Sequence, residues 1–340
     1  MKIAFTICSN NYLAQAKILC DSLLQFNPDY KMVIGLCDEK IDDIDYDSFQ
    51  NVQVVSLTEI NLDVFDDIIS KYDIIELNTS IKPSFFKYFI QEYPELKSVV
   101  YLDPDIQVFD TFDVLDSYLL HDDILLTPHI FKPIPVDDLL PAENLFLNYG
   151  IYNLGFLAVN PKSSNVIQFL NWWEERTLKI GYNRVSEGLF VDQLWINLVP
   201  LFFDKVKVLP TYGLNVAPWN LHERSIFSDG SKYKMEDETS LCFFHFSNYN
   251  YLNPTALSKY YNRYDAAIAS PVILKLYKQY HDKLLLNNIS FFAALPCSYI
   301  KEKEVPEVIV IKKTLKAIDF IPPIVTILYR KVKKALTSTN

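Results

Sequence analysis

The chain has 340 residues, of which 50% are hydrophobic and 14% aromatic, and its formal net charge is −10. That length suffices for a large buried core, and 22 Tyr and 23 Phe against only 7 Gly exclude a disordered or fibrous chain. The acidic balance speaks against a nucleic-acid binder, which needs a basic face.

The N-terminal "KIAFTIC" reads as a first strand, and "NYLAQAKILCDSLLQF" follows with apolar residues at helical spacing. "KMVIGLCD" is a second strand ended by acids, "VQVVSL" a third, and "IKPSFFKYFIQEY" a helix after Pro83. "SVVYLD" and "DILLTPH" are further strands, "YNLGFLAVN" is an apolar run around Gly155, "VIQFLNWWEERTLKIG" an amphipathic helix, and "LFVDQLWINLVPLFF" a further helix. "KVKVLP" adds a strand, "YGLNVAPWNLHER" is irregular and aromatic, and "SLCFFHFSNYNYLNP" is a strand running into a polar loop. Strands alternating with helical segments imply an α/β fold with a mostly parallel sheet, whose ligands bind beyond the carboxyl ends of the strands.

The five cysteines (Cys8, Cys20, Cys37, Cys242, Cys297) contain no CxxC pair and cannot all pair, so reduced thiols are expected. The start "MKIAFTICSNNY" lacks the apolar length of a signal peptide. No apolar run approaches the ~18 residues of a membrane span. A cytoplasmic protein is the expectation.

The chemistry concentrates at strand ends. In "VVYLDPDIQVFD", Asp103 and Asp105 flank Pro104 where an apolar run leaves the core. A turn alone accounts for Asp and Pro, but two carboxylates brought together by a turn also suit Mg²⁺ or Mn²⁺. Asp38 ends the second strand in the same way. His245 in "CFFHFSNYN" is either a hydrogen-bonded core residue or an imidazole that completes a two-carboxylate metal site. Asp192 and Gln193 lie in the apolar helix "LFVDQLWIN", where a carboxylate needs a partner or a cavity. Asn153 and Gly155 in "YNLGF" suit either a bulged strand or a close backbone approach with an amide reader. His222 and Arg224 in "WNLHER" form either a surface loop stapled by Trp219 or an anion contact. No GxSxG elbow, P-loop or GxGxxG is present to support hydrolase, ATPase or dehydrogenase chemistry.

These motifs, in this order over residues 1–265, resemble the nucleotide-sugar glycosyltransferases of the GT-A fold. The nearest are those of family 8 (glycogenin-like and bacterial galactosyltransferase-like) and bacterial surface-polysaccharide transferases with a "WNLHER" segment. The resemblance implies a catalytic domain over 1–265 and a C-terminal helical extension over 266–340. It implies transfer of a sugar, with retention, from a nucleotide-sugar donor (a UDP-sugar foremost) to a cell-surface glycan or lipid-linked acceptor. The metal site would be Asp103, Asp105 and His245, holding Mn²⁺ or Mg²⁺. Thr6, Ser9, Asn11, Tyr12 and Asp38 would meet the donor's base and ribose, and Lys87 would steady carboxylates or phosphates. Asn153 and Gly155 would touch donor sugar or acceptor, His222 and Arg224 would join the donor site, and Asp192 and Gln193 would stand near the reacting carbon. The "HFSNYNYLNP" segment departs from the family's glycine and "KPW", so the phosphate-gripping lysine has no direct counterpart, and Arg224 or Lys259 are the stand-ins. Two other classes share some of these features. A sugar-nucleotide-forming nucleotidyltransferase would carry a glycine-rich basic loop where "TICSNNYLAQAK" has none, and a glycan-binding module would have no use for the acidic rim.

Residues 301–340 carry nine lysines and arginines against four acids, interleaved with "VIVI" and "FIPPIVTILY". That composition suits peripheral contact with an anionic membrane as well as it suits a helix packed on the core.

Overall fold

β1 (Lys2–Cys8) alternates Ile3, Phe5 and Ile7 into one hydrophobic cluster with Ala4 and Cys8 into another, so the strand is buried on both faces. Such double burial is what a central strand between helical layers requires. A computed structural model describes residues 1–230, 232–264 and 269–300, and the basic tail at 301–340 lies outside the described residues. β2 (Tyr30–Leu36), β3 (Val52–Ser56), β4 (Ser98–Leu102), β6 (Ile124–Pro128), β7 (Tyr152–Val159) and the strand Val206–Val208 join β1 in one seven-stranded sheet. Its order is Val206–Val208, β6, β7, β4, β1, β2, β3. Every neighbouring pair is parallel except the two made by β7. The mostly parallel α/β sheet read from the sequence is therefore the one observed. The reversal of β7 matters, because it delivers that strand's first residues, Asn153 and Gly155, to the rim where its neighbours end.

Helices α1 (Leu13–Phe26), α2 (Phe65–Lys71), α3 (Ile74–Ser80), α4 (Lys82–Glu92), α5 (Asp113–Leu119), α6 (Glu143–Tyr149) and α7 (Ser164–Ile180) make the connections. α3 starts in a capping box: Asp73 accepts from the Ile75 and Glu76 N–H groups while Glu76 reaches back to the Asp73 N–H. α4 begins with Pro83 in its first turn, where the missing N–H costs nothing. β5 (Ile106–Val108) leaves the main sheet just after the Asp103–Asp105 turn and pairs antiparallel with Phe243–His245, placing His245 opposite Ile106.

One expected element is different. "LFVDQLWINLVPLFF" is not a helix but a short strand at Leu189–Phe190, a 3₁₀ segment at Leu194–Leu198 and one α-turn at Val199–Phe202. Val191 takes a positive φ of 40°, and Pro200 opens a new turn rather than continuing an old one. Asp192 consequently sits in a loop end rather than on a helix face.

The chain packs as a single unit from Met1 to Ile300. Residues 269–300 therefore belong with the body expected to end near 265. Ser270 caps the helix Pro271–Leu286 through the Ile273 N–H, and Ile273, Leu276, Tyr277, Tyr280 and Leu284 pack on Ala14 and Ile18 of α1 and on Phe244 and Phe246.

Candidate active site

The rim formed by the ends of β1 and β4 and the starts of β5 and β7 holds three convergent ligand atoms. Those of Asp103, Asp105 and His245 all lie within 4.8 Å of one another. His245 Nε2 stands 2.9 Å from Asp105 Oδ1 and 3.7 Å from Asp103 Oδ2. Backbone bonds fix all three: Asp103 N–H donates to Gly155 O, His245 N–H to Val216 O and Phe246 N–H to Asp105 O. Burial works against a protonated His245, yet Asp105 and then Asp103 hold its proton more tightly than a free imidazole would. Two carboxylates and one imidazole on a half-exposed rim suit a divalent cation that keeps positions open for oxygen ligands.

Gly155 is part of this geometry. A Cβ there would lie 2.5 Å from His245 Cε1 and 2.8 Å from Asn153 Oδ1. Gly155→Ala should therefore displace the imidazole and weaken Mn²⁺ binding at least tenfold, on the order of 1.4 kcal/mol, while the far-UV circular dichroism stays native. Unchanged Mn²⁺ affinity in titration calorimetry would show that His245 is not a ligand.

The sequence did not signal two residues that support the aspartates. Tyr101 donates its hydroxyl to Asp103 Oδ1 at 2.6 Å, leaving Oδ2 to face His245. Lys82, only 2% exposed, places its ammonium 4.1 Å from the Tyr101 ring centroid, donates to Leu154 O at 2.9 Å and pairs with Asp192 Oδ2 at 2.7 Å. Burial pushes the Asp192 carboxyl above its usual range against the pull of Lys82. Lys87, the expected basic residue of α4, is not in this cluster. It pairs with Glu174, which Ser84 also bonds, because five residues at 100° each turn it well away from Lys82. The available clue was an Ile81-Lys82-Pro83 setting, in which a lysine flanked by apolar residues at a helix start has to point inward.

Beside the aspartates lies a cleft of about 190 Å³ lined by Ser9, Asn11, Tyr12, Asn78, Tyr101 and Asp103, among others. Ser9, Asn11 and Tyr12 of the expected donor set thus reach it. Thr6 and Asp38 do not line it, and both are fully buried. Asp38 accepts backbone N–H bonds from Asn10, Glu39 and Ser298, which ties the β1 and β2 loops to the chain's later part.

Asn153 and Gln193 belong to a buried amide network. Asn153 Oδ1 accepts from Asn215 Nδ2 and the Gly155 N–H, and its Nδ2 meets His129 Nε2 at 3.2 Å and Gln193 Oε1 at 3.4 Å. Gln193 also accepts from the Leu154 N–H and donates to Tyr149 O. The His129 Nδ1 contact with Ile151 O at 3.3 Å makes Nδ1 the donor and leaves Nε2 to accept from Asn153. Burial holds the His129 pKa down at about 4. A histidine with a depressed folded pKa contributes stability above pH 6.5 that is lost as pH falls towards 4. The shift amounts to roughly 3 kcal/mol. Urea unfolding at pH 7 and pH 4.5 should show a larger loss for wild type than for His129→Gln, and equal losses would mean that His129 is already charged when folded.

The "WNLHER" segment is scaffold. The Trp219 ring lies edge-on to His245 at 5.2 Å, and Asn220 bonds the Ala217 N–H and the His129 and Asn215 carbonyls. Glu223 accepts from the Phe131 and Lys132 N–H groups, and His222 Nε2 is 3.3 Å from Lys132 O. Arg224, 2% exposed, donates from Nη1 to the Tyr212 and Leu214 carbonyls and buries the rest of its guanidinium beside Glu223, and burial lowers its pKa to about 10 despite that acid. Arg224 therefore has no route to a phosphate. Lys259 is exposed, with its N–H bonded to Asn248 O a few residues past His245.

A family model, glycosyl transferase family 8, matches residues 3–181, more than half the chain. The chain belongs to that family. The match takes in Asp103, Asp105, Asn153 and Gly155 and stops short of Asp192, Gln193 and His245. Two Bacillus subtilis (strain 168) proteins of uncharacterised role are similar: YfnF, 27% identical over 72% of this chain and 80% of its own, and YfnD, 23% identical over 89% and 96%. Solved structures resemble it at lower identity. The galactosyltransferase LgtC, crystallised with donor and acceptor sugar analogues, is 15% identical over 83% of this chain and 95% of its own at a TM-score of 0.47. GlyE of Streptococcus pneumoniae TIGR4, a glycosyltransferase, is 14% identical over 87% and 65% at a TM-score of 0.44. Its family makes the enzyme a glycosyltransferase, and the nucleotidyltransferase and binding-module readings fall away. Among the described residues no helix is long and apolar enough to cross a membrane.

Proposed function

We propose that this glycosyltransferase moves a sugar from a nucleoside-diphosphate donor, a UDP-sugar foremost, to a cell-surface glycan or lipid-linked acceptor, with retention and with Mn²⁺ or Mg²⁺ as cofactor. The observation that carries the reading is the convergence of Asp103, Asp105 and His245 at the edge of a cleft lined by Ser9, Asn11 and Tyr12. A divalent cation held there supplies a Lewis acid that offsets the charge of the departing diphosphate. The chain's own residues do the rest. Tyr101 orients Asp103 by engaging one of its oxygens, so binding does not have to freeze a free carboxylate. Asp192, paired with Lys82, and Gln193, held by the Leu154 N–H, are the residues whose oxygens would stabilise the oxocarbenium character that the sugar acquires. Lys259, exposed in the segment that follows His245, is the cation proposed for the distal phosphate. Retention and the acceptor class rest on the family resemblance. A cytoplasmic location rests on the five free cysteines, and peripheral contact with an anionic membrane rests on the composition of residues 301–340.

The test is a calorimetric panel of UDP, GDP and dTDP, each with and without Mn²⁺. One diphosphate, UDP by this reading, should bind at least tenfold more tightly with the metal. If no diphosphate gains affinity on adding Mn²⁺ or Mg²⁺, the metal-assisted reading fails.

A further inference from the structure

On the α1 side of β5 lies a second cleft, of about 260 Å³, between that strand, the hairpin around Gly230 and the helix Pro271–Leu286. Three of its groups lack the partners their chemistry calls for. Gln107 is 5% exposed, lines the cleft and has its side-chain oxygen buried without a hydrogen-bond donor. Lys275 and Lys283, two turns apart on one helix, also line it, and among the described residues neither has an ion-pair partner. Burial lowers the Lys283 pKa, and the acid that bears on it, Asp21, is already paired with Lys17 at 2.9 Å. Two cations left unpaired in a chain of net charge −10 mark a local preference for an anion. A half-buried ammonium and a buried carbonyl oxygen both cost free energy until something fills their valences.

The two needs are of opposite kinds, and that narrows the ligand. Inorganic phosphate at neutral pH answers the lysines, but its P–OH donors sit on the same small centre, so reaching the Gln107 oxygen means giving up part of the ion pairing. A neutral sugar offers hydroxyls to Gln107 and nothing for two ammonium groups. A saccharide carrying one carboxylate or phosphate supplies both, and glycans are what this family handles. We propose that this cleft binds an anionic sugar unit, separately from the donor site, through Lys275, Lys283 and Gln107.

The experiment titrates the full-length protein with glucuronate, glucose 6-phosphate, inorganic phosphate and glucose, followed by calorimetry. One of the two anionic sugars should bind saturably and at least tenfold more tightly than phosphate or glucose, and which one does so identifies the acidic group. Lys275→Gln, at an exposed position that cannot unfold the chain, and Lys283→Gln should each weaken that binding about tenfold. Asp105→Ala should leave it unchanged, and UDP with Mn²⁺ should not compete, so the outcome is independent of the metal-site reading. Absence of saturable binding, equal affinity for phosphate or glucose, unchanged affinity in both lysine variants, or competition by UDP would each overturn the proposal.

Discussion

Asp105→Ala should abolish metal-dependent nucleoside-diphosphate binding and lower sugar transfer by at least about 100-fold, because it removes a charged ligand where even supporting groups are worth 10–100-fold. The fold should tolerate the change. Asp105 is only partly buried, its backbone oxygen still accepts from the Phe246 N–H, and the strand pairing of β5 with Phe243–His245 does not involve its side chain. Removing one of two neighbouring carboxylates relieves like-charge repulsion but also deletes the 2.9 Å contact with His245 Nε2, so the melting temperature without metal should fall only modestly. The decisive comparison is the gain in melting temperature that Mn²⁺ with UDP gives wild type, since a ligand bound only to the folded state stabilises it by mass action. The variant should lose that gain. If it keeps the full gain and full turnover, the diphosphate is held elsewhere and the convergence of Asp103, Asp105 and His245 has another purpose.

Much of this rim could be read from the sequence because its elements are local. Asp103 and Asp105 announce themselves by ending an apolar run, and His245 by ending another. That both runs meet depends on the antiparallel pairing of β5 with Phe243–His245, over about 140 residues of separation, and only the family resemblance anticipated it. Residue type misled where long-range packing decides the role. Arg224 looked like an anion contact, but its guanidinium is buried beside Glu223, with Nη1 bonded to two backbone carbonyls ten and twelve residues away. Lys87 lies in a better-looking sequence context than Lys82, yet helical phase sends Lys87 to Glu174 and Lys82 to Asp192. The apolar run around Asp192 suggested a helix because Leu, Trp, Ile and Val are compatible with any buried conformation. The positive φ of Val191 and the restart at Pro200 have no periodic signature. Asn153 stands out in the sequence as an amide before Gly155, but its contacts with His129, Asn215 and Gln193 join four separate segments, none of which indicates the others.

Lys82→Met should produce the largest loss of stability of any single change near the site. Lys82 and Asp192 are each 2% exposed and meet at 2.7 Å. Replacing a buried ion pair as a whole is often neutral, but deleting one partner strands the other charge and typically costs 3–5 kcal/mol. Methionine fills most of the lysine stem's volume, so a cavity adds little, and the penalty is electrostatic. That makes it dependent on pH in a defined direction. Burial already raises the Asp192 pKa with Lys82 opposing it, and without the lysine nothing opposes the rise. A carboxyl with a raised folded pKa costs nothing where it is protonated in both states, below about pH 4, and the cost grows as pH climbs towards the folded value. Urea denaturation should therefore show Lys82→Met close to wild type near pH 4 and several kcal/mol weaker at pH 7.5. The double variant Lys82→Met with Asp192→Leu removes the stranded charge and should recover most of the difference at pH 7.5. If the single variant is equally weak at both pH values, or the double variant is weaker still, the loss comes from packing around Tyr101 and Leu154, and the ion pair is not what holds this part of the site together.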